Sequence, residues 1–410
     1  MGPALLRSGS VSASSFPPDG VAQPLRVGLL GLGTVGRAVA EALLDDRWRT
    51  RVRARGGPEL ELVAVGVRGP GRSRGLVLPA SVDASDDLEA LVARPDLDVV
   101  VELLGGLDPA ERLVRSALEH GRAVVTANKA LLAARGLSLE QLSRRTGAAL
   151  RFEAAVGGGM PVLTALVRDL AATRIESVAG IVNGTTNHIL TAMAHDGVAY
   201  ADALAEAQRM GFAEADPTAD VEGLDAAAKL AILARLAFGV WLDPESIPRA
   251  SPNGEDGSAP GITGVTAAAI AAAGARDLVI KLVARAKRGA DEAVHAWVWP
   301  VAVARASPIG ATDGVTNIIE IEAEPVGRVS FRGPGAGGPA TSSAVLADLL
   351  ALARDEGSTW GTLPEARATA TATVGAVGGS AGLARWTGPW LDVASPSGLS
   401  RYPLLEVPSA

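Results

Sequence analysis

The sequence contains no cysteine, and this absence excludes several kinds of chemistry. Disulfides, thiolate metal ligands and catalysis by a thiolate nucleophile are all ruled out. Histidine is rare as well, and the four histidines do not follow the spacing of a metal site. We therefore expect no zinc site. The four are His120, His188, His195 and His295.

Lysine is scarce, since only four of the 38 lysine and arginine residues are lysine. Arginine is thus the residue that this chain uses where a positive charge alone is needed. A lysine that is kept indicates a site that needs a compact amine whose pKa can be shifted. The four are Lys129, Lys229, Lys281 and Lys287.

The chain also lacks a basic block and a long apolar run. Its net charge of −7 argues against a nucleic-acid partner, and no apolar stretch approaches the length that crosses a bilayer. Residues 1–24 are rich in Ser, Pro and Gly without a signal-peptide core. We expect a flexible tail and a cytoplasmic protein, with an organellar transit peptide as the alternative.

A glycine motif lies near the start of a chain that is long and apolar enough for two domains, at 410 residues and 48% hydrophobic. Residues 25–31 form an apolar run that enters G-x-G-x-x-G and then a helix from Arg37 to about Leu44. A glycine motif between a strand and a helix is the dinucleotide-binding fingerprint, in which the backbone approaches the pyrophosphate closely. Its glycines are Gly31, Gly33 and Gly36.

The end of the second predicted strand, residues 60–67, bears on which dinucleotide is bound. NAD-preferring proteins carry an acidic residue here that bonds the ribose 2′-hydroxyl. This strand instead enters Arg68, followed by Arg72 and Arg74, with no acidic residue before Asp83. A guanidinium suits a 2′-phosphate. We expect NADP to be preferred over NAD, with Arg68 as the contact; an ordinary exposed arginine is the alternative.

Strands alternate with helices up to about residue 155. Predicted strands at 98–104, 122–127 and 148–154 enclose helices at about 108–120 and 130–145. Alternation of this kind predicts an α/β domain with a doubly wound parallel sheet of the Rossmann type. Ligands bind beyond the carboxyl ends of such strands, where Lys129 lies.

The remaining chain predicts a second, α+β domain for substrate binding and dimerisation. Long strands are predicted near 174–182, 276–288 and 292–304, with shorter ones at 317–323 and 327–332. We divide the chain into five segments. They are a flexible tail (1–24), an NAD(P)-binding domain (25–155), a catalytic and dimerisation domain (156–332), a helix returning to the nucleotide-binding domain (333–355) and an extension without assigned function (356–410).

Residues 211–233 carry the densest group of carboxylates and then enter an apolar-periodic helix. Asp225 and Lys229 are four residues apart, so they share a helix face. A solvated surface ion pair is the simpler interpretation, but the scarcity of lysine favours a proton-transfer and polar-substrate site. The carboxylates are Glu214, Asp216, Asp220, Glu222 and Asp225.

Two glycine-rich stretches remain. Residues 157–159, just before Pro161, form a turn whose backbone carbonyls could hold a hard cation, although a hinge is equally consistent. Residues 333–338 open the last predicted helix, at about 339–354, and return the chain toward the cofactor.

Eight segments together resemble homoserine dehydrogenases over about residues 25–355. The resemblance implies the reversible, NAD(P)-dependent reduction of L-aspartate 4-semialdehyde to L-homoserine, on the route to threonine, isoleucine and methionine. It also implies a homodimer formed through the second sheet. Residues 356–410 do not resemble the ACT regulatory domain of many bacterial members, so we expect no threonine inhibition through such a domain. The segments are GLGTVG, VVELLGG, TANKALL, FEAAVGGGMP, GIVNGTTNHIL, GFAEADPTADVEGLDAAAKLAIL, GITGVTAAAIAAA and FRGPGAGG.

The same resemblance implies roles for individual residues. Lys229 would be the catalytic acid/base, with Lys129 beside it in the active site. Glu214 and Asp225 would bind the substrate amino and hydroxyl groups. Asp220 would support them, and Thr185 would line the pocket. A monovalent cation, sodium or potassium, would be held by the backbone carbonyls of Glu153, Val156, Gly158 and Met160. The implied cofactor contacts are Thr34, Val35, Thr126, Lys129, Gly211, Gly335 and Gly337.

Three other functions can be compared with the sequence. Aspartate-semialdehyde dehydrogenase handles the same semialdehyde but acylates a cysteine, which this chain lacks. A different two-domain NAD(P)-dependent oxidoreductase, acting on a sugar or keto acid, stays open until substrates are screened. A catalytically inactive nucleotide sensor has no need of Lys129, Glu214, Asp225 and Lys229, and their presence argues against it.

Overall fold

The first half of the chain folds around a six-stranded parallel sheet. The computed structural model describes residues 23–69, 75–249, 259–289, 292–372, 390–395 and 398–405. The sheet order is β3-β2-β1-β4-β5-β6, which reverses direction between β1 and β4 and so creates a ligand-binding crevice there. The doubly wound prediction is confirmed. The strands are β1 (Leu25–Leu30), β2 (Leu60–Gly66), β3 (Asp83–Ser85), β4 (Val99–Glu102), β5 (Ala123–Thr126) and β6 (Leu150–Arg151).

Helices cover both faces of this sheet, because its strands are apolar on both sides. Val99, Val100 and Val101 of β4 are all fully buried. The helices are α1 (Thr34–Leu44), α2 (Asp46–Ala54), α3 (Leu88–Val92), α4 (Ala110–Glu119) and α5 (Lys129–Thr146).

The second half contains a five-stranded antiparallel sheet with the order β10-β9-β7-β11-β12. Its strands are β7 (Arg174–Ile181), β9 (Leu278–Arg288), β10 (Val294–Ala304), β11 (Thr316–Glu324) and β12 (Gly327–Pro334), while the two-residue β8 (Trp241–Leu242) lies outside it. The helices of this half are α6 (Val162–Thr164, continued by a π-helical turn at Ala165–Asp169), α7 (Gly184–Asp196), α8 (Tyr200–Arg209), α9 (Thr218–Val221), α10 (Leu224–Phe238) and α11 (Ala267–Gly274).

The chain then returns to the first sheet through α12 (Gly338–Leu352). Val345 and Leu349 are fully buried in the same apolar cluster as Val27 of β1 and Val39 of α1. Beyond it, β13 (Thr369–Ala370) pairs with β8, and β14 (Trp390–Ser395) pairs with β15 (Gly398–Pro403). The division into five segments stays a prediction.

Several elements differ from their predicted bounds, each for a physical reason. Helix α2 was missed because its sequence is strongly charged and none of its residues is buried. Residues 148–154 yield only the short β6, because Leu150 and Phe152 donate their backbone N–H groups to the hydroxyls of Ser358 and Thr359. The chain then turns into a short 3₁₀ helix, Glu153–Ala155.

Among the described residues, no helix combines the length and apolarity that a membrane span requires.

Candidate active site

The glycine loop after β1 has the close contacts that a dinucleotide fingerprint requires. Gly31 adopts φ 95°, and a Cβ on Gly36 would come within 2.0 Å of the Gly31 carbonyl oxygen. These contacts bring α1 tightly against the strand. A Cβ on Gly33 would meet nothing within 4 Å, so its backbone faces open space that a phosphate can approach. Thr34 and Val35 are the first residues of α1.

A cavity of about 490 Å³ extends from this loop. Gly31 and Gly33 line one part of it, Arg68 follows β2 at another, and Leu104 and Gly105 follow β4. The structure therefore brings two of the three fingerprint glycines, Gly31 and Gly33, and Arg68 to one cavity. Arg68 is exposed; Arg72 and Arg74 lie outside the described residues.

Asp225 joins two lysines that come from different halves of the fold. Lys129, the first residue of α5, places its Nζ 2.6 Å from Asp225 Oδ1. Lys229, one turn along α10, donates to Asp225 Oδ2 at 2.8 Å and to the Val182 carbonyl at 2.6 Å. Lys229 is only 7% exposed, whereas the Lys129 side chain is 44% exposed. The predicted helix-face pair is thus a buried cluster rather than a solvated one.

Asn183, a residue without a predicted role, joins this cluster to α7. Its side-chain oxygen accepts from the Thr186 backbone N–H and caps the helix. Its side-chain nitrogen donates to Asp220 Oδ1 at 2.6 Å and Asp225 Oδ2 at 2.9 Å. The sequence feature that could have indicated it is an asparagine at the junction of a strand and a helix, two residues after the end of β7 and immediately before α7.

Charge and burial move the pKa values of these groups apart. Burial lowers the pKa of Lys229, and the Lys129 ammonium acts in the same direction, although Asp225 opposes both. Burial also disfavours the Lys129 ammonium, but Asp225 outweighs it and the pKa of Lys129 is raised. Burial alone would raise the pKa of Asp225; the two ammonium groups instead hold it well below its usual range. Burial raises the pKa of Asp220.

The loop between α8 and α9 carries the remaining predicted contacts. Thr185 donates its hydroxyl to the Phe212 carbonyl at 2.7 Å, which fixes this loop against the start of α7. Gly211 and Glu214 are exposed on the same loop, and Gly211 adopts φ 76°. The Glu214 carboxylate contributes to the raised pKa of Lys129, so it lies in that lysine's electrostatic field.

Comparison with known proteins identifies the family. The model of the homoserine dehydrogenase NAD-binding domain matches residues 31–153, and that of homoserine dehydrogenase matches residues 161–350. The homoserine dehydrogenase of Synechocystis sp. is 42% identical over 329 residues, which are 80% of this chain and 72% of that protein. The chain belongs to the homoserine dehydrogenase family. It is accordingly an oxidoreductase, and the prediction made from its motifs is confirmed.

Solved homoserine dehydrogenases share the fold described above. The enzyme from Thiobacillus denitrificans is 39% identical with a TM-score of 0.75, covering 81% of this chain and 74% of its own. A hyperthermophilic archaeal homoserine dehydrogenase in complex with NADPH is 25% identical with a TM-score of 0.65, covering 81% and 98%.

Glu102, which no sequence pattern singled out, is bonded to residues on both sides of Lys129's end of the candidate site. It is fully buried at the end of β4 and accepts from the Thr126 hydroxyl at 2.6 Å and the Leu104 N–H at 2.8 Å. Thr126 accepts in turn from the Asn128 N–H, and Asn128 caps α5 immediately before Lys129. Glu102 therefore holds the cofactor-side loop and the start of the Lys129 helix in one network.

The two glycine-rich stretches pack against each other. Gly157 and Gly158 adopt left-handed conformations, and a Cβ on Gly158 would meet Pro334 and Gly335 backbone atoms at 2.7 Å. Gly337 adopts φ 110° and caps α12. A Cβ on Gly338 would in turn meet the Thr34 carbonyl oxygen at 3.0 Å, so residues 333–338 pack against the start of α1, next to the glycine loop after β1.

The four predicted cation ligands, Glu153, Val156, Gly158 and Met160, are buried in this turn. The Glu153 carboxylate is already engaged, since it accepts from the backbone N–H groups of Leu163 and Thr164 and from the Thr164 hydroxyl. Only backbone oxygens thus suit a cation here, and such oxygens are ligands that hard cations accept. In the described part of the chain, no three His, Asp or Glu side chains form a metal cluster.

Proposed function

We propose that this homoserine dehydrogenase interconverts L-aspartate 4-semialdehyde and L-homoserine with Lys229 as the acid/base. One observation carries the proposal: a buried lysine, held 2.8 Å from a carboxylate, whose pKa is lowered. Reduction of an aldehyde needs a proton for the developing alkoxide, and oxidation of the alcohol needs a base. A lysine whose pKa is lowered can donate the proton in one direction and accept it in the other. Initial-rate oxidation of L-homoserine tests the proposal.

The surrounding residues orient the substrate and the lysine. Asp225 holds both ammonium groups, so the Lys229 amine points toward Val182 and the site rather than into solvent. Asp220 and the exposed Glu214 supply negative charge that suits the substrate α-ammonium group. Thr185 lies at the start of α7 and donates its hydroxyl to the carbonyl of Phe212, on the loop that carries Glu214.

A bound nicotinamide cofactor supplies the hydride. The chain's own part is to hold it: the close-packed Gly31 and Gly36 and the open Gly33 leave room for the pyrophosphate at the start of α1. The expected further contacts are Thr34, Val35, Thr126, Lys129, Gly211, Gly335 and Gly337. NADP is the proposed cofactor; two observations support it, since Arg68 lines the same cavity as Gly31 and Gly33 and an archaeal relative is known with NADPH.

Replacement of Arg68 by glutamate should reverse the cofactor preference. The carboxylate repels a 2′-phosphate and can accept a hydrogen bond from a 2′-hydroxyl. We expect kcat/KM with NADP⁺ to fall about 100-fold, while the value with NAD⁺ changes little, because a charge-assisted contact contributes about 1.5–3 kcal/mol. Initial rates with both cofactors measure the ratio.

Arg145→Glu is the matched control, since Arg145 is equally exposed but lies at the far end of α5. It should leave the ratio unchanged. A ratio that stays the same in Arg68→Glu would remove Arg68 from the cofactor site.

We also propose that the turn at residues 157–160 binds a monovalent cation, sodium or potassium, through the carbonyls of Glu153, Val156, Gly158 and Met160. Replacing both cations by tetramethylammonium at constant ionic strength should lower the thermal unfolding temperature and the turnover rate. The reason is that a ligand bound only by the folded state stabilises it.

Gly158→Ala should abolish that response to the cation. It places a side chain against Pro334 and Gly335 and strains a left-handed backbone by about 1 kcal/mol. Gly197→Ala is the control, since Gly197 is equally left-handed at φ 68° but its Cβ would face open space. An undiminished cation effect in Gly158→Ala would argue against this turn as the site.

A homodimer and a cytoplasmic location are further proposals. β12 is an edge strand of the second sheet with an alternating half-exposed surface, and an edge of this kind can pair with a second copy. Sedimentation at several protein concentrations tests the dimer.

A further inference from the structure

Two buried side chains, distant from the reacting groups, connect the helices that carry the lysines. Arg235 of α10 donates from Nε to Glu140 Oε2 at 2.8 Å and from its terminal nitrogen to Oε1 at 2.6 Å. Both side chains are fully buried. A two-pronged contact of this kind fixes distance and orientation together.

The spacing of this pair matches that of the lysine cluster. Glu140 lies 11 residues after Lys129 on α5, and Arg235 lies 10 residues after Asp225 on α10. At a rise of 1.5 Å per residue, the two pairs are separated by roughly 15–17 Å along both helices. The helices are therefore joined side by side at two points, in nearly the same axial register.

The surroundings of the pair leave it little freedom. Trp241 donates its indole N–H to Glu140 at 2.8 Å, and Arg144 donates to the same carboxylate. Gly136 of α5 admits the Trp241 ring, since a Cβ there would come within 2.3 Å of it. The carbonyls of Leu363 and Pro364 accept from Arg144 and Arg235, so the chain after α12 covers the pair.

We propose that Glu140 and Arg235 are positioning residues that set the register of α5 against α10 and so hold Lys129 beside Asp225. The inference deepens the proposed function, because Lys129 touches the reacting site only while this register is kept. Lys129 is nearly half exposed, so water can replace Asp225 around its ammonium group if the register slips. Its ammonium would then no longer oppose the charge on Lys229.

The test replaces both partners by methionine. Breaking a buried pair on one side leaves an unpaired charge and threatens folding, whereas an apolar pair of similar size is tolerated. In the Glu140→Met, Arg235→Met protein we expect the titration midpoint of Lys229 to rise. We expect kcat/KM for L-homoserine to fall about 100-fold, the effect of a misplacement near 1 Å. NADP(H) affinity should fall much less than kcat/KM, because Lys129 is only one of the proposed cofactor contacts.

NMR titration of protein with carbon-13-labelled lysine side chains measures the Lys229 midpoint without requiring turnover. The chain has four lysines, and the Lys229 signal is the one lost in Lys229→Arg. Lys129→Met serves as the reference for a full loss of the Lys129 charge and should shift the midpoint in the same direction.

Arg144→Gln is the matched control. It removes another partner of Glu140 but not the link between α5 and α10, so it should lower the unfolding temperature and leave the Lys229 midpoint unchanged. An unmoved midpoint in a folded double variant would overturn the inference even if wild-type turnover is normal. If the wild-type protein fails to oxidise L-homoserine but the double variant still shows the shifted Lys229 midpoint, the result counts against the proposed function alone.

Discussion

Replacing Lys229 by methionine should lower kcat for L-homoserine oxidation about 1,000-fold, while the affinity for NADP(H) stays close to wild type. General acid/base catalysis by a positioned side chain contributes roughly 10²–10⁴-fold. Methionine fills the space of the lysine side chain on α10 but has no ionisable group that could donate or accept a proton. Asp225 keeps Lys129 as a partner, so the fold should survive. Steady-state rates and cofactor fluorescence titration provide the two measurements.

Lys229→Arg separates proton transfer from simple charge. Arginine keeps the positive charge beside Asp225 but does not deprotonate in proteins. We expect it to be as inactive as Lys229→Met. Lys287→Arg is the control, since Lys287 is exposed on β9, and it should behave like the wild type. Near-normal turnover in Lys229→Arg would show that the group acts by charge alone.

Replacing Asp225 by asparagine is expected to have the next largest effect. The Asp225 carboxylate meets Lys129, Lys229 and Asn183, and it is the group that keeps both ammonium ions in place. Without it the pKa values of Lys129 and Lys229 both fall, so the proton needed for semialdehyde reduction is lost at lower pH. We expect kcat/KM for the reduction to fall about 100–1,000-fold.

The same substitution should also destabilise the fold. Breaking a buried ion pair costs about 3–5 kcal/mol, and the lower end applies because Lys229 can release its proton. Chemical denaturation measures the change. Asp216→Asn is the control: Asp216 is exposed, and an asparagine oxygen can still accept from the Thr218 N–H. If both variants lose stability and activity equally, Asp225 is not the anchor that the geometry indicates.

Local sequence patterns were sufficient to predict the parallel sheet and the pair on α10. The glycine loop lies between β1 and α1 as the fingerprint requires, and Asp225 meets Lys229 because four residues span one helical turn. Both predictions depend on residues that are neighbours in the chain. Helix α1 nevertheless begins at Thr34 rather than Arg37, since the first helical bond joins the Arg37 N–H to the Gly33 carbonyl.

Contacts between distant segments could not be predicted in the same way. Lys129 and Asp225 are 96 positions apart, and the local sequence around each does not predict that α5 and α10 begin next to each other in space. A charged residue in a helix ordinarily faces water, and nothing adjacent in the sequence sets Glu140 or Arg235 apart from other charged residues. Their complete burial follows only from the packing of α5 on α10 and from the cover supplied by residues 363–364.

The central claim is that the buried Lys229 exchanges the proton in homoserine oxidation, and the pH dependence of kcat/KM for L-homoserine tests it most directly. Oxidation requires neutral Lys229, and burial together with Lys129 lowers the pKa of that amine. The value of kcat/KM with NADP⁺ should therefore rise with pH and then level off. The midpoint of the rise should lie below the ordinary lysine pKa of about 10.4. Lys129→Met should move that midpoint upward. Absence of turnover with either cofactor, in protein that binds one, or a pH profile that no lysine substitution moves, would contradict the account.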